Sequence, residues 1–350
     1  MPTIRDVAAR AGVTKPTVSR VLNNSAPVKR ETRARVEEAI RELGYRPSTL
    51  ARGLARGRVH TIAAVVPFVT HPSAVARVQG LVNGFRESGI PISLFDVERR
   101  EDVVEHLVAL TTHLRPEGIV VMSLHPTTEQ LDQMQRAAIP TVFVDADIAG
   151  WSSVFSDDLA GGRLATAHLL DLGHRRIAFI GDGEDSEFGF TSSHHRRIGY
   201  QRALGARDVP VVPRYERTGP HGRAVAAELA EALLRLPEPP TAIFAASDTQ
   251  ALGVLDAADR MGHAVPDELA VIGFDDIEAA GYVGLTTVRQ PLAISGREAA
   301  QLLLAQMRAT ANDPVRHELP LELVARRTTG TRVPLTTMKR PQHAVGGREP

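Results

Sequence analysis

The chain has 350 residues, 43% of them hydrophobic, with no cysteine and a formal net charge of zero. That length exceeds what a single hydrophobic core supports, so two or three folded units are expected; the absence of cysteine excludes a disulfide scaffold, thiolate metal sites and a cysteine nucleophile. No run approaches 18 uninterrupted apolar residues and the N-terminus carries no signal-peptide pattern, so the expectation is a soluble cytoplasmic protein with no membrane partner.

The zero charge is a cancellation. Residues 1–60 hold 13 Lys/Arg against 5 Asp/Glu, and the rest of the chain carries the opposite surplus. A basic head on an acidic body suits a protein that meets phosphate through one end only. Within that head Ile4, Val7, Ala8 and Ala11 fall on one helical face, and Gly12 supplies a turn. Thr14 is positioned to cap a second helix, whose first turn tolerates Pro16 because no N–H is needed there. Val18, Val21 and Leu22 then point inward and leave Lys15, Pro16, Thr17 and Arg20 on or near the outer face. Two short helices, a small residue at their crossing and a glycine in the turn form a helix-turn-helix, which reads base edges in the major groove.

A third helix is predicted over 31–43 from Val36, Ala39, Ile40 and Leu43, with Gly44 as its stop. Residues 47–58 follow, a short basic helical pattern between Pro47 and Gly57. Gly53 inside it costs about 1 kcal/mol relative to alanine, so the segment is expected to be marginal alone. It reads as a hinge that folds against DNA, with a plain flexible linker as the alternative.

From residue 61 apolar strands alternate with helices. Strands are predicted at 61–66, 91–97, 118–123, 140–145, 176–181, 241–246 and 269–274, and helices at 162–172, 196–204, 222–236 and 251–261, among others. That rhythm is the signature of doubly wound parallel sheets, and the span suits two of them. The chain beyond residue 333 is polar, with scattered Pro and Gly, and is expected to be disordered.

Ligands of open parallel sheets bind beyond the carboxyl ends of the strands. Pro67, Phe68, Ser123, Asp145, Asp182, Ser247, Asp248, Asp275 and Asp276 occupy those positions. Carboxylates and hydroxyls recur there without metal-ligand or nucleophile spacing, a set suited to a neutral polyhydroxylated molecule such as a sugar. An aspartate at a strand end can equally cap the next helix. Two other classes compete with a DNA-binding regulator. A hydrolase would have to use His194 and His195 with Ser192, Ser193 and Asp185, yet sequence neighbours on one loop rarely form a triad. A stand-alone sugar carrier would need export, against which the basic head and the N-terminus speak. No enzyme activity, cofactor or metal is expected.

The motifs Val18-Ser19-Arg20-Val21-Leu22-Asn23, Gly44-Tyr45-Arg46-Pro47 and Ala51-Arg52-Gly53-Leu54 resemble the DNA-binding head and hinge of the LacI/GalR family of bacterial repressors. Leu172-Gly173-His174-Arg175-Arg176-Ile177, Val271-Ile272-Gly273-Phe274-Asp275-Asp276 and Leu285-Thr286-Thr287-Val288-Arg289-Gln290-Pro291 extend the resemblance to about residue 330. It implies a helix-turn-helix head on a core of two subdomains like those of periplasmic sugar-binding proteins. By that resemblance the head covers 1–46, the hinge 47–58 and the core 59–333, followed by a tail over 334–350. One subdomain would take about 59–160 and 290–320, the other about 161–289 and 321–333. The resemblance also implies a homodimer on a palindromic operator, controlled by a small effector, most simply a sugar.

Residue by residue, Thr14, Lys15, Pro16, Thr17, Arg20 and Asn23 match the head's DNA-facing positions, and Arg52 and Leu54 the hinge. Leu54 stands at the family's minor-groove wedge. Arg196 matches the family's effector-binding arginine; Phe68, Ser123, Ser247, Asp248 and Asp275 complete the expected cleft. The chain departs from the family where Thr70-His71-Pro72-Ser73-Ala74-Val75 replaces an Asn-Pro-Phe-Phe type stretch and where Ser247 replaces asparagine. The usual aromatic platform for a sugar face is therefore missing unless Phe68 supplies it.

Overall fold

A computed structural model describes residues 4–23, 27–43, 59–183, 190–308 and 313–330. The hinge with Arg52 and Leu54, the tail and Asp185 lie outside the described residues. The head consists of α1 (Ile4–Ala11), α2 (Lys15–Asn23) and α3 (Arg30–Leu43). Val7, Val18 and Val36, one from each helix, are fully buried and meet Ala8, Ala11, Val21 and Ala39 in one small core. Gly12 joins the first two helices at φ 63°, a left-handed value that a side chain would resist.

The core holds two six-stranded sheets. The first contains β1 (Val59–Pro67), β2 (Ile92–Val97), β3 (Pro116–Met122), β4 (Thr141–Val144), β5 (Ser152–Phe155) and β11 (Arg316–Glu318), in the order β11-β5-β4-β3-β1-β2. The second contains β6 (Ile177–Asp182), β7 (Glu216–Gly219), β8 (Ala242–Ala245), β9 (Ala270–Asp275), β10 (Thr286–Arg289) and β12 (Glu322–Val324), in the order β12-β10-β9-β8-β6-β7. Pairing is parallel except at the edge, where β12 runs antiparallel to β10. The central strands are continuous apolar runs because helices cover both faces of each sheet, which leaves Ile62 to Val66 and Ile119 to Val121 fully buried.

All seven predicted strands are present. β5, β7, β10, β11 and β12, each three or four residues long, were not predicted. β11 and β12 are sheet edges of three residues each, β11 wholly polar and β12 too short for an apolar run to mark it.

The chain passes between the sheets three times, after β5, after β10 and after β11. The second passage leads through Gln290 into α12 (Leu292–Arg308), which packs on α4 (Pro72–Phe85) against the first sheet. α5 (Arg100–Ala109) and α6 (Thr128–Ala137) complete that lobe's helices, while α7 (Asp158–Asp171), α8 (Ser192–Gly205), α9 (Arg223–Leu234), α10 (Asp248–Met261) and α11 (Glu278–Val283) surround the second sheet. The packing of α7 on α8 is close enough that a Cβ at Gly162 would sit 2.2 Å from the carbonyl oxygen of Arg196. The glycine thereby fixes where that arginine starts.

Candidate functional site

The carboxyl ends of both sheets face a cleft that, counting its part open to solvent, encloses about 780 Å³. Phe68, Ser123, Arg196, Ser247 and Asp275 line it, together with Pro67, Asp145 and Asp182. Several of these residues hold left-handed backbone: φ is 46° at Phe68, 52° at Ser123, 60° at Asp145 and 115° at Asp275. Such conformations disfavour side chains and persist where the surroundings enforce them, which happens most at binding sites.

Asp248 is a correction. Its carboxylate turns away from the cleft, accepting from the Ile277 N–H at 2.9 Å and the Thr287 hydroxyl at 2.6 Å. At the first position of α10 its side chain runs back under the sheet end, and it is fully buried. Burial, reinforced by Asp275, pushes its carboxyl up to about 8. Ser247 borders the cleft with its hydroxyl committed to Gln250, whose N–H it accepts as the cap of α10. Asp276 is held by Arg289 and Arg326, each at 2.7 Å.

Arg196 is the most tightly held cation of the cleft. Its Nε donates to Asp158 at 2.8 Å and its Nη1 to the carbonyl of Ala246 at 2.6 Å, while its guanidinium lies 3.7 Å from the centre of the Phe274 ring. Burial opposes its charge, but the carboxylates of Asp158, Asp275 and Asp145 outweigh that and raise its pKa. Burial likewise pushes Asp275 up, against the pull of Arg196 and Arg77.

Four contributors were not among the predicted residues. Arg77 of α4 donates from Nη2 to Asp145 at 2.6 Å and to Gln290 at 3.2 Å. Gln290 donates in turn to Asp275 at 2.7 Å, so one amide in the second passage bridges the floors of both lobes. At the mouth His71 stacks on Phe68 with ring centres 4.9 Å apart and approaches His221 of the other lobe at 5.2 Å. The Phe68–His71 stack occupies the stretch where the aromatic platform was missing. Burial works against a proton on His221, but its hydrogen bond to Asp182 at 3.0 Å prevails and its pKa is raised. Burial and the nearness of His221 lower that of His71. A signal for Arg77 existed in the sequence: it shares a helical face with Ala74, Leu81 and Phe85, where an arginine is out of place unless paired.

On the head, Thr14, Lys15, Pro16 and Arg20 are exposed and Thr17 is half-buried. Thr14 directly precedes α2, and its hydroxyl lies 3.0 Å from that of Thr17. Asn23 is the last residue of that helix. Of the described residues in the His194/His195 region, Ser193 accepts from the Asp182 N–H at 2.8 Å and Ser192 hydrogen-bonds Asp158. Among the described residues no His/Cys/Asp/Glu group is arranged to hold a metal ion, and no helix is long and apolar enough to cross a membrane.

Comparison with known proteins gives two domain matches: residues 3–48 match "Bacterial regulatory proteins, lacI family", and residues 166–329 match "Periplasmic binding protein-like domain". The ribose operon repressor of Escherichia coli (strain K12) is 35% identical over 309 residues, covering 87% of this chain and 92% of its own. Among solved structures, a complex of the transcriptional regulator CelR with cellobiose is 31% identical with a TM-score of 0.70, covering 94% of this chain and all of its own. The lac repressor dimer bound to operator and the anti-inducer ONPF is 27% identical with a TM-score of 0.79, covering 94% of this chain and 99% of its own.

Proposed function

The chain belongs to the lacI family of bacterial regulatory proteins, and from that premise we propose that it is a cytoplasmic repressor whose operator affinity is set by a small uncharged sugar in the cleft between its lobes. The observation that carries this reading is the pairing, in one chain, of a folded head presenting Lys15 and Arg20 with a cleft floored by carboxylates. Three aspartates, Asp145, Asp182 and Asp275, line the cleft against two arginines that are already paired. An anionic ligand would find no uncompensated cation there, whereas hydroxyls can donate to the carboxylates.

The chain acts as a homodimer, its two heads reading the halves of a palindromic site, as protein and operator symmetry require. Thr14, Lys15, Pro16, Thr17, Arg20 and Asn23 meet the major groove, and Arg52 and Leu54 the minor groove. Sugar binding shifts the angle between the lobes, alters the ordering of residues 47–58 on DNA and relieves repression.

Selection from a random duplex pool, followed by salt-titrated binding, tests the DNA role. The expected result is a pseudo-palindrome whose affinity falls steeply with salt. In the same assay Arg20→Ala should relax preference at one base pair per half-site. Salt-insensitive or absent duplex binding would remove the DNA role, and a uniform loss across sequences would make Arg20 a phosphate contact.

A further inference from the structure

Arg196 has a counterpart in the other lobe. Each lobe places an arginine in the first helix after its first strand, Arg77 in α4 after β1 and Arg196 in α8 after β6. Each arginine is packed by its backbone against a glycine of a crossing helix: a Cβ at Gly296 would lie 2.0 Å from the carbonyl oxygen of Arg77, as one at Gly162 would lie 2.2 Å from that of Arg196. Each guanidinium faces an aspartate at the end of its lobe's fourth strand, at 2.6 Å for Arg77 and Asp145 and at 3.9 Å for Arg196 and Asp275, and both aspartates hold left-handed backbone. Both arginines line the cleft and are more than nine-tenths buried.

The two differ in what they leave unused. Arg196 commits Nε to Asp158, whereas the Nε of Arg77 is buried without any hydrogen-bond partner. A buried donor of a charged group is costly to leave without a partner. Ser73 and Ala74, one turn earlier on the same helical face, also line the cleft, with small side chains.

We propose that Arg77 is a ligand-contacting residue that determines specificity, with its Nε–H donating to an oxygen of the effector. A hydroxyl there can accept from Arg77 while donating its own proton to Asp145, and a second hydroxyl can engage Asp275 across the cleft. The effector is thus a polyol whose hydroxyls reach both lobes. This rests on the sugar reading of the cleft and goes beyond it by assigning the first lobe's donor.

The test is calorimetric binding of neutral monosaccharides (D-ribose, D-glucose and D-galactose) and their monodeoxy derivatives to the full-length wild type, Arg77→Lys, and the double variant Arg77→Met with Asp145→Asn, which avoids an orphaned buried carboxylate. Retained operator binding serves as the check on folding. Wild type should favour one sugar over the deoxy derivative lacking the hydroxyl that meets Arg77. The double variant should lose about tenfold or more in affinity for the parent sugar but less than about threefold for that derivative, and Arg77→Lys should restore part of the difference. A parallel loss for every sugar, or unchanged selectivity, would overturn the role of Arg77 and leave the sugar reading intact. Failure of wild type to bind any neutral sugar while it still binds operator would remove the sugar reading and this proposal together.

Discussion

Asp275 and Arg196 face each other in the cleft but answer substitution differently. Removing Arg196 leaves Asp158 and Asp275 buried without their cation, so Arg196→Ala should cost about 3–5 kcal/mol of stability and mix folding with ligand effects. Asp275→Asn keeps an oxygen that can accept from Gln290 and removes the charge that faces both the ligand and Arg196, which retains Asp158 as its partner. It should abolish the effector response while operator affinity without effector stays within about threefold; an intact response in a titration of operator binding would take Asp275 out of the site. Asp248 supplies a pH signature. Its folded pKa of about 8 stands above the unfolded value of about 3.9. The stability it contributes is therefore full below about pH 4 and lost as pH rises through about 8. Asp248→Asn should flatten the fall in denaturation midpoint between pH 5.5 and 8.5, and an unchanged slope would assign that fall to other groups. The family resemblance carried Arg196, and the strand-end rule made Phe68, Ser123, Ser247 and Asp275 legible in the sequence. It failed for Asp248, because position along a strand end does not say whether a side chain turns into the cleft or back beneath the sheet. His221 and Gln290 sit on connections, which carry no periodicity to read.

The packing of α4 on α12 does for Arg77 what the packing of α7 on α8 does for Arg196. A methyl at Gly296 would press on the backbone of Arg77 and Leu81, atoms that cannot rotate away. Gly296→Ala should therefore cost about 1–3 kcal/mol or more, measured by chemical denaturation, while Gly205→Ala, where a Cβ meets nothing within 4 Å, serves as control. Equal effects at both glycines would mean that the helix crossing is not tight. The long apolar strands and amphipathic helices were readable because period and length mark them. The edge strands β11 and β12 were not, since their pairing depends on the second and third passages of the chain, which no local pattern announces.

At the scale of the molecule, the basic surplus of residues 1–60 and the acidic remainder divide the labour between a phosphate-facing head and a core built around a carboxylate-lined cleft. The three passages tie the lobes together close to that cleft, and Gln290 stands in one of them, bonded to Arg77 on one side and Asp275 on the other. Any ligand that changes the distance between Asp145 and Asp275 must therefore act on the angle between the lobes. A ligand shifts such an equilibrium only by its difference in affinity for the two states, so a regulator of this design should show reciprocal coupling between cleft and DNA. The direct measurement is the dissociation constant of the full-length protein for its selected operator, at fixed salt, across a titration of the neutral sugar that binds the wild-type cleft. The predicted result is a saturable weakening of about tenfold or more, with operator weakening sugar binding by the same factor; an operator affinity that stays flat while the cleft fills would contradict it.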